Sequence, residues 1–171
     1  MGIGNTTPAA ALIAASFGLP ASEVTGRGTG VDEATLAHKA AVIQQALDRA
    51  AERTSDPVDT LTALGSADLA ASAGFMAAAA RAGVPVLLDG LISASAAVIA
   101  ERLAPGAAAW FAAGHRSTEP AQSIALDKLG LEPILDIGMR LGEGSGAVAA
   151  VPLVRSAALL LTDVALLADL M

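Results

Sequence analysis

Apolar positions along this chain fall into two spacings, and the alternation between them predicts the elements. Leu36, Ala40, Ile43, Leu47 and Ala50 recur at threes and fours, one face of a helix expected over 32–53. Residues 84–88 form a short apolar run that ends in Asp89-Gly90, the form of a buried parallel strand opening into a turn. Two more strands are expected at 108–112 and 133–137. Between and around them the pattern predicts further helices. One spans 7–17, with Thr7 as N-cap, Pro8 in the first helical position and Gly18 as stop. Others run from Asp56-Pro57 to Gly65, from Ser66 or Ala67 to near Gly83, over 93–103, and from Glu119-Pro120 to Leu129. The last runs over 147–170, broken or kinked at Pro152. Strand, polar Gly-rich loop, helix and strand again is an α/β order with right-handed crossovers. The expected fold is a three-layer, Rossmann-like parallel sheet flanked by Ala-rich helices, with residues 1–171 as a single domain. Ligands in such sheets sit beyond the carboxyl ends of the strands, which is where the polar residues of this chain cluster.

Composition narrows the reading. Apolar residues make up 54% and charged ones 16%, too hydrophobic for intrinsic disorder. There are 42 Ala and 17 Gly but only four aromatics, so helices and sheet can approach closely. Cysteine is absent, which excludes a disulfide scaffold and zinc–thiolate sites and fits a reduced, cytoplasmic protein. The net charge of −7 leaves no basic stripe, which argues against a nucleic-acid partner. A small anion stays open, because backbone amides bind phosphate without net positive charge. The longest uncharged run, 1–22, contains Asn5, Thr6, Thr7, Pro8 and three glycines and lacks a basic start, so it is a poor signal peptide. Later apolar stretches are cut by Arg81, Asp89, Glu101, Arg155, Asp163 and Asp169, so no membrane span is expected. Residues 1–6 also fit the loose myristoylation pattern.

Candidate chemistry lies in the loops. Gly2-Ile3-Gly4-Asn5-Thr6-Thr7 leads into a helix whose free amides suit a phosphate, although an ordinary capped helix fits the same residues. Gly26-Arg27-Gly28-Thr29-Gly30 is a second glycine loop, a poor dinucleotide fingerprint because Val31 stands at the third glycine position. Lys39, one of two lysines, is a solvated helix residue or a charged partner for that anion. His115 lies beyond a strand beside Arg116 and Ser117 and has no carboxylate spacing for a metal, so it is expected to hydrogen-bond a ligand or a loop. In Gly142-Glu143-Gly144-Ser145-Gly146, a carboxylate sits between glycines that let a ligand reach it. Apolar neighbours such as Leu141 would raise its pKa toward that of a general base, while a solvated turn is the plain alternative.

Taken together, five motifs resemble those of the nicotinate-nucleotide–dimethylbenzimidazole phosphoribosyltransferase family. They are Gly-Ile-Gly-Asn-Thr-Thr-Pro at 2–8, Gly-Arg-Gly-Thr-Gly at 26–30, Asp-Gly-Leu-Ile-Ser at 89–93, Gly-His-Arg-Ser-Thr-Glu-Pro at 114–120 and Arg-Leu-Gly-Glu-Gly-Ser-Gly at 140–146. The resemblance covers the chain but only the C-terminal part of the longer family pattern, as an N-terminally truncated domain would. It implies transfer of the 5-phosphoribosyl group of nicotinate mononucleotide to 5,6-dimethylbenzimidazole, an α/β fold, a homodimer, and neither cofactor nor metal. By motif, Glu143 is the general base. Gly2, Gly4, Asn5, Gly28, Lys39, Asp89, Gly90, His115 and Ser117 surround phosphate and ribose, and Met1 and Leu141 border the azole. The family glutamate preceding the Met-Gly-Ile-Gly motif lies outside this chain. A catalytically incomplete fragment, acting as a nucleotide-binding or dimerisation module, is the alternative. A generic α/β dehydrogenase is disfavoured by the poor glycine fingerprint.

Overall fold

Local chemistry sets the helix starts. Asp32 accepts a hydrogen bond from the Thr35 amide at 2.8 Å, and the Asp56 carboxylate accepts from the Val58 and Asp59 amides at 2.8 and 3.0 Å. Each is a side-chain N-cap that satisfies donors the helix itself leaves open. The computed structural model describes residues 2–28 and 30–169, so Met1, assigned above to the azole pocket, lies outside the described residues. The elements are α1 (Thr6–Phe17), α2 (Ala21–Val24), α3 (Glu33–Ala50), α4 (Pro57–Leu64), α5 (Ala67–Arg81), β1 (Val86–Leu88), α6 (Leu91–Leu103), β2 (Phe111–His115), α7 (Pro120–Leu129), β3 (Pro133–Leu135) and α8 (Ser145–Asp163). The three strands form a parallel sheet in the order β1-β2-β3, with Leu88 opposite Ala113 and His115 opposite Leu135. This is the α/β fold expected, with helices flanking a parallel sheet.

Much of the core is helix on helix. α1 is buried over six consecutive residues, from Ala9 to Ala14, and packs against α6, which is buried from Ala94 to Ala100. A helix apolar on all sides belongs inside a fold, and alanine lets two such helices come close. The predicted face of α3 is also found, with Ile43 and Ala50 buried and Leu36, Ala40 and Leu47 half-buried. Arg102 ties the far end together. Its guanidinium donates from α6 to Ser16 of α1, to Thr60 of α4 and to the carbonyls of Thr54 and Ser55.

Several boundaries differ from the sequence pattern, each for a local reason. α1 starts at Thr6 after Asn5, whose side chain goes to Asp68 rather than capping, so Thr7 lies inside the helix. α3 ends at Ala50, and 51–53 tighten into a 3₁₀ turn. α2 is a four-residue helix too short to leave a periodic signal. α6 starts at Leu91, with Ser93 in its first turn, accepting from the Asp89 amide and donating to the Gly90 carbonyl. The second strand lies three residues later than 108–112, because the Glu101 carboxylate takes the Gly106 and Ala108 amides and holds a 3₁₀ turn there. The outer strands are shorter than predicted. α8 runs unbroken through Pro152. Proline removes the bond to the Val148 carbonyl and crowds it, and because Val148 is exposed, that carbonyl can tilt outward and bond water instead. Running through Arg155 to Asp163, α8 is also long and apolar enough, by length and composition, to cross a bilayer, which corrects the expectation that charges cut every apolar stretch short. Only Gly146 and Ala150 of α8 are buried.

Gly114 fixes how closely β1, β2 and α8 meet. A β-carbon there would lie 2.8 Å from both the Leu88 carbonyl oxygen and the Ala147 Cα. Gly114→Ala is therefore expected to destabilise the protein by ~1–3 kcal/mol, the usual range for overpacking, read as a lower urea midpoint. An unchanged midpoint would show that the backbone gap is not tight.

Candidate active site

The loops at the carboxyl ends of β1 and β2, the start of α1, the Gly28 loop and the start of α8 enclose one cavity of about 660 Å³. Every described residue assigned to the site by motif lines it. Gly2, Gly4 and Asn5 come from the first loop, Gly28 from the second and Lys39 from α3. Asp89 and Gly90 follow β1, His115 and Ser117 close β2, and Leu141 and Glu143 precede α8. Residues more than a hundred positions apart thus share one wall-to-wall space at the strand ends, as a parallel sheet requires.

The side near α1 is suited to an anion. No side chain caps the first turn of α1, and Asn5, Thr6 and Thr7 at that helix start line the cavity. Lys39 Nζ donates to Thr6 Oγ1 at 3.3 Å and to the Gly26 carbonyl at 3.1 Å. Burial holds the Lys39 amine below the ordinary lysine range, and the Glu119 carboxylate opposes that shift. Asn5 donates to Asp68 at 2.8 Å, and the hydrogen bonds from Ser66 and Asn5 hold the Asp68 carboxyl below its usual range.

The other side carries Glu143. It is the only non-glycine described residue with a left-handed backbone, φ +58°, and it stands between Gly142 and Gly144, which are also left-handed. Such a conformation costs a side-chain-bearing residue about 1–2 kcal/mol, and strain of this kind collects at functional sites. Glu143 is exposed and Leu141 is 79% exposed, so the apolar enclosure predicted around the carboxylate is not built by Leu141. Asp89 accepts from the Gly144 amide through Oδ2 at 3.0 Å, and from the Gly146 and Ala147 amides through Oδ1 at 2.8 and 3.1 Å. Its carboxylate is thus engaged within the protein. His115 is fully buried, with Nδ1 3.6 Å from Asp89 Oδ1 and neither ring nitrogen hydrogen-bonded. Its ring fills the space where a side chain at residue 146 would stand.

A family model described as phosphoribosyltransferase matches residues 1–170. The chain belongs to the nicotinate-nucleotide–dimethylbenzimidazole phosphoribosyltransferase family. Relatives bearing that name include one from Mycobacterium ulcerans, 53% identical over 99% of this chain, and one from Desulforamulus reducens, 46% identical over 99%. These alignments cover 47% and 48% of the relatives, so the chain spans about half the length of the curated relatives it matches. The crystal structure of CobT from Thermus thermophilus is similar over 94% of this chain and 48% of that one, at 45% identity and a TM-score of 0.90. The phosphoribosyltransferase fold is therefore shared with a solved family member at high similarity.

Beyond the residues chosen from sequence, Glu119, Arg27, Arg140, Thr6, Ser72 and Met76 also line the cavity. Arg27 and Arg140 sit inside the quoted glycine motifs, and Ser72 and Met76 are one turn apart on α5, a spacing that signals only a shared helix face. Glu119 hides in a helix-start signal, the residue before Pro120, yet its carboxylate turns away from its own helix to accept from the Gly28 amide at 2.7 Å.

The Lys39 shift sets a sign for pH. Between its lowered folded pKa and the ordinary 10.5, the unfolded chain holds the Lys39 proton and the folded chain has lost it, so stability contributed by this site rises with pH across that window. Urea midpoints measured from neutral to alkaline pH should show this rise in the wild type and not in Lys39→Met. The same slope in both would contradict it.

Proposed function

We propose that this chain carries the phosphate- and base-bearing part of a phosphoribosyltransferase that moves the 5-phosphoribosyl group of nicotinate mononucleotide to 5,6-dimethylbenzimidazole. The products are α-ribazole 5′-phosphate and nicotinate. One observation supports this above the others: an uncapped helix start, a half-buried lysine and a glycine-flanked carboxylate line the same cavity, in a chain of this family. On this reading Gly2, Gly4, Asn5, Gly28, Lys39, Gly90, His115 and Ser117 surround phosphate and ribose, with Asp89 behind them. An azole nitrogen attacks the anomeric carbon, the bond to the nicotinate nitrogen breaks with inversion, and Glu143 takes the azole N–H proton. Exposure of Glu143 leaves it reachable by an incoming base, and Leu141 borders that approach. The reaction calls for no metal or redox cofactor. Residues 1–171 are read as one α/β unit corresponding to the C-terminal part of the longer relatives, working in the cytoplasm as a homodimer. The exposed apolar side chains of α8, among them Val148, Leu160 and Leu161, are surface such an assembly has to cover.

A second reading is favoured by the exposure of Leu141 and Glu143 together with the half-length match: a fragment that binds the mononucleotide without completing the azole pocket. Chromatographic assay of nicotinate release separates the two. The primary reading predicts release that requires the azole and falls by ~10²–10⁴-fold in Glu143→Gln, the range of a positioned general base. Binding of the mononucleotide without release would select the second reading, and neither binding nor release would defeat both.

A further inference from the structure

Two carboxylates in this cavity need explaining, because a site that takes a phosphate would be repelled by Asp89 and Glu119 unless their charge is engaged elsewhere. Asp89 is engaged through both oxygens by backbone amides of the glycine loops, and Glu119 through Oε1, while its Oε2 is buried without a hydrogen-bond partner. Asp89, fixed by Ser93 at its amide and by Gln122 at its carbonyl, reaches 55 to 58 positions along the chain to take the Gly144, Gly146 and Ala147 amides. It thereby caps α8 from another element, directly after the left-handed Glu143. Glu119, at the start of α7, takes the Gly28 amide 91 positions away at 2.7 Å, and its carboxylate lies against Gly26. The same loop is held from the opposite side by Lys39, which donates to the Gly26 carbonyl.

We propose that Asp89 and Glu119 are positioning residues, each holding one wall of the site through its backbone amides: Asp89 the wall that carries Glu143, Glu119 the wall formed at Gly28. Glycine gives such loops wide backbone freedom, and a misplacement of about 1 Å can cost on the order of 10²-fold in rate. The two residues therefore control different constants. Asp89 sets the placement of the base and so kcat; Glu119 sets the phosphate wall and so the affinity for the mononucleotide. This kinetic division rests on the function proposed above, whereas the holding of the loops does not.

The test is residue-resolved amide hydrogen exchange on the full chain. Asp89→Ala should speed exchange at Gly144, Gly146 and Ala147 by roughly tenfold or more and leave Gly28 unchanged, and Glu119→Ala should do the reverse, as expected for the loss of charge-assisted bonds. Asp89→Asn supplies a finer check, since one acceptor oxygen remains: protection should persist at Gly146 and Ala147, which share Oδ1, and be lost at Gly144. Glu119→Gln should keep the Gly28 protection. Faster exchange throughout the molecule, or none at the named amides, overturns the proposal. With nicotinate mononucleotide and 5,6-dimethylbenzimidazole, Asp89→Ala should lower kcat by roughly 10–10²-fold at little change in KM for the mononucleotide, and Glu119→Ala should raise that KM with kcat nearly kept. If the exchange pattern holds but wild type releases no nicotinate, the proposed reaction fails and the anchoring stands. If release occurs but both variants move the same constant, the division of roles is overturned.

Discussion

Everything at the functional end of this molecule depends on backbone meeting backbone where β1, β2 and α8 converge. Gly114 has the Leu88 carbonyl oxygen and the Ala147 Cα both 2.8 Å from the position a β-carbon would take, and Gly146 has the His115 ring in its place. That approach brings the α8 amides within reach of Asp89 at the end of β1. Without it, the Gly144, Gly146 and Ala147 amides would lose their Asp89 acceptor, and the left-handed conformation of Glu143 would lose that support. Small residues thus serve two ends in this fold. Alanine closes the helical core of α1 and α6, and glycine closes the site.

The opposite wall follows different physics. Its parts are an uncapped helix start, a lysine tied to Thr6 and Gly26, and a glutamate on the Gly28 amide. Burial works against the charge of Lys39 and holds its amine below the ordinary lysine range, while the nearby Glu119 carboxylate opposes that shift in part. Such an arrangement gives an anion donors on several sides at once, while the chain as a whole carries a net charge of −7.

Much of this was legible in the sequence, because the signals involved are local. The α3 face appears as a three- and four-residue spacing, Asp56-Pro57 announces α4, and Val86-Leu87-Leu88 followed by Asp89-Gly90 marks β1 and its turn. The glycine loops pointed to the cavity, and the described residues assigned to the site from them line it. What stayed hidden depends on partners far along the chain. The register of β2 is set by Glu101 capping a 3₁₀ turn, Asn5 is drawn to Asp68 instead of its own helix, and Asp89 and Glu119 act through amides 55 to 91 positions away. No periodicity records such a bond. The exposure of Leu141 is likewise a property of the folded chain, which spans about half the length of the curated relatives it matches.

The most direct measurement is calorimetric titration of this chain with nicotinate mononucleotide and, separately, with nicotinate riboside, which lacks only the phosphate. The mononucleotide is expected to bind, and removal of the phosphate to weaken binding by on the order of tenfold or more, the effect of losing charge-assisted hydrogen bonds. Equal binding of the two, or no binding of either, would contradict the claim that the α1 start, Lys39 and the Gly28 loop form a phosphate site.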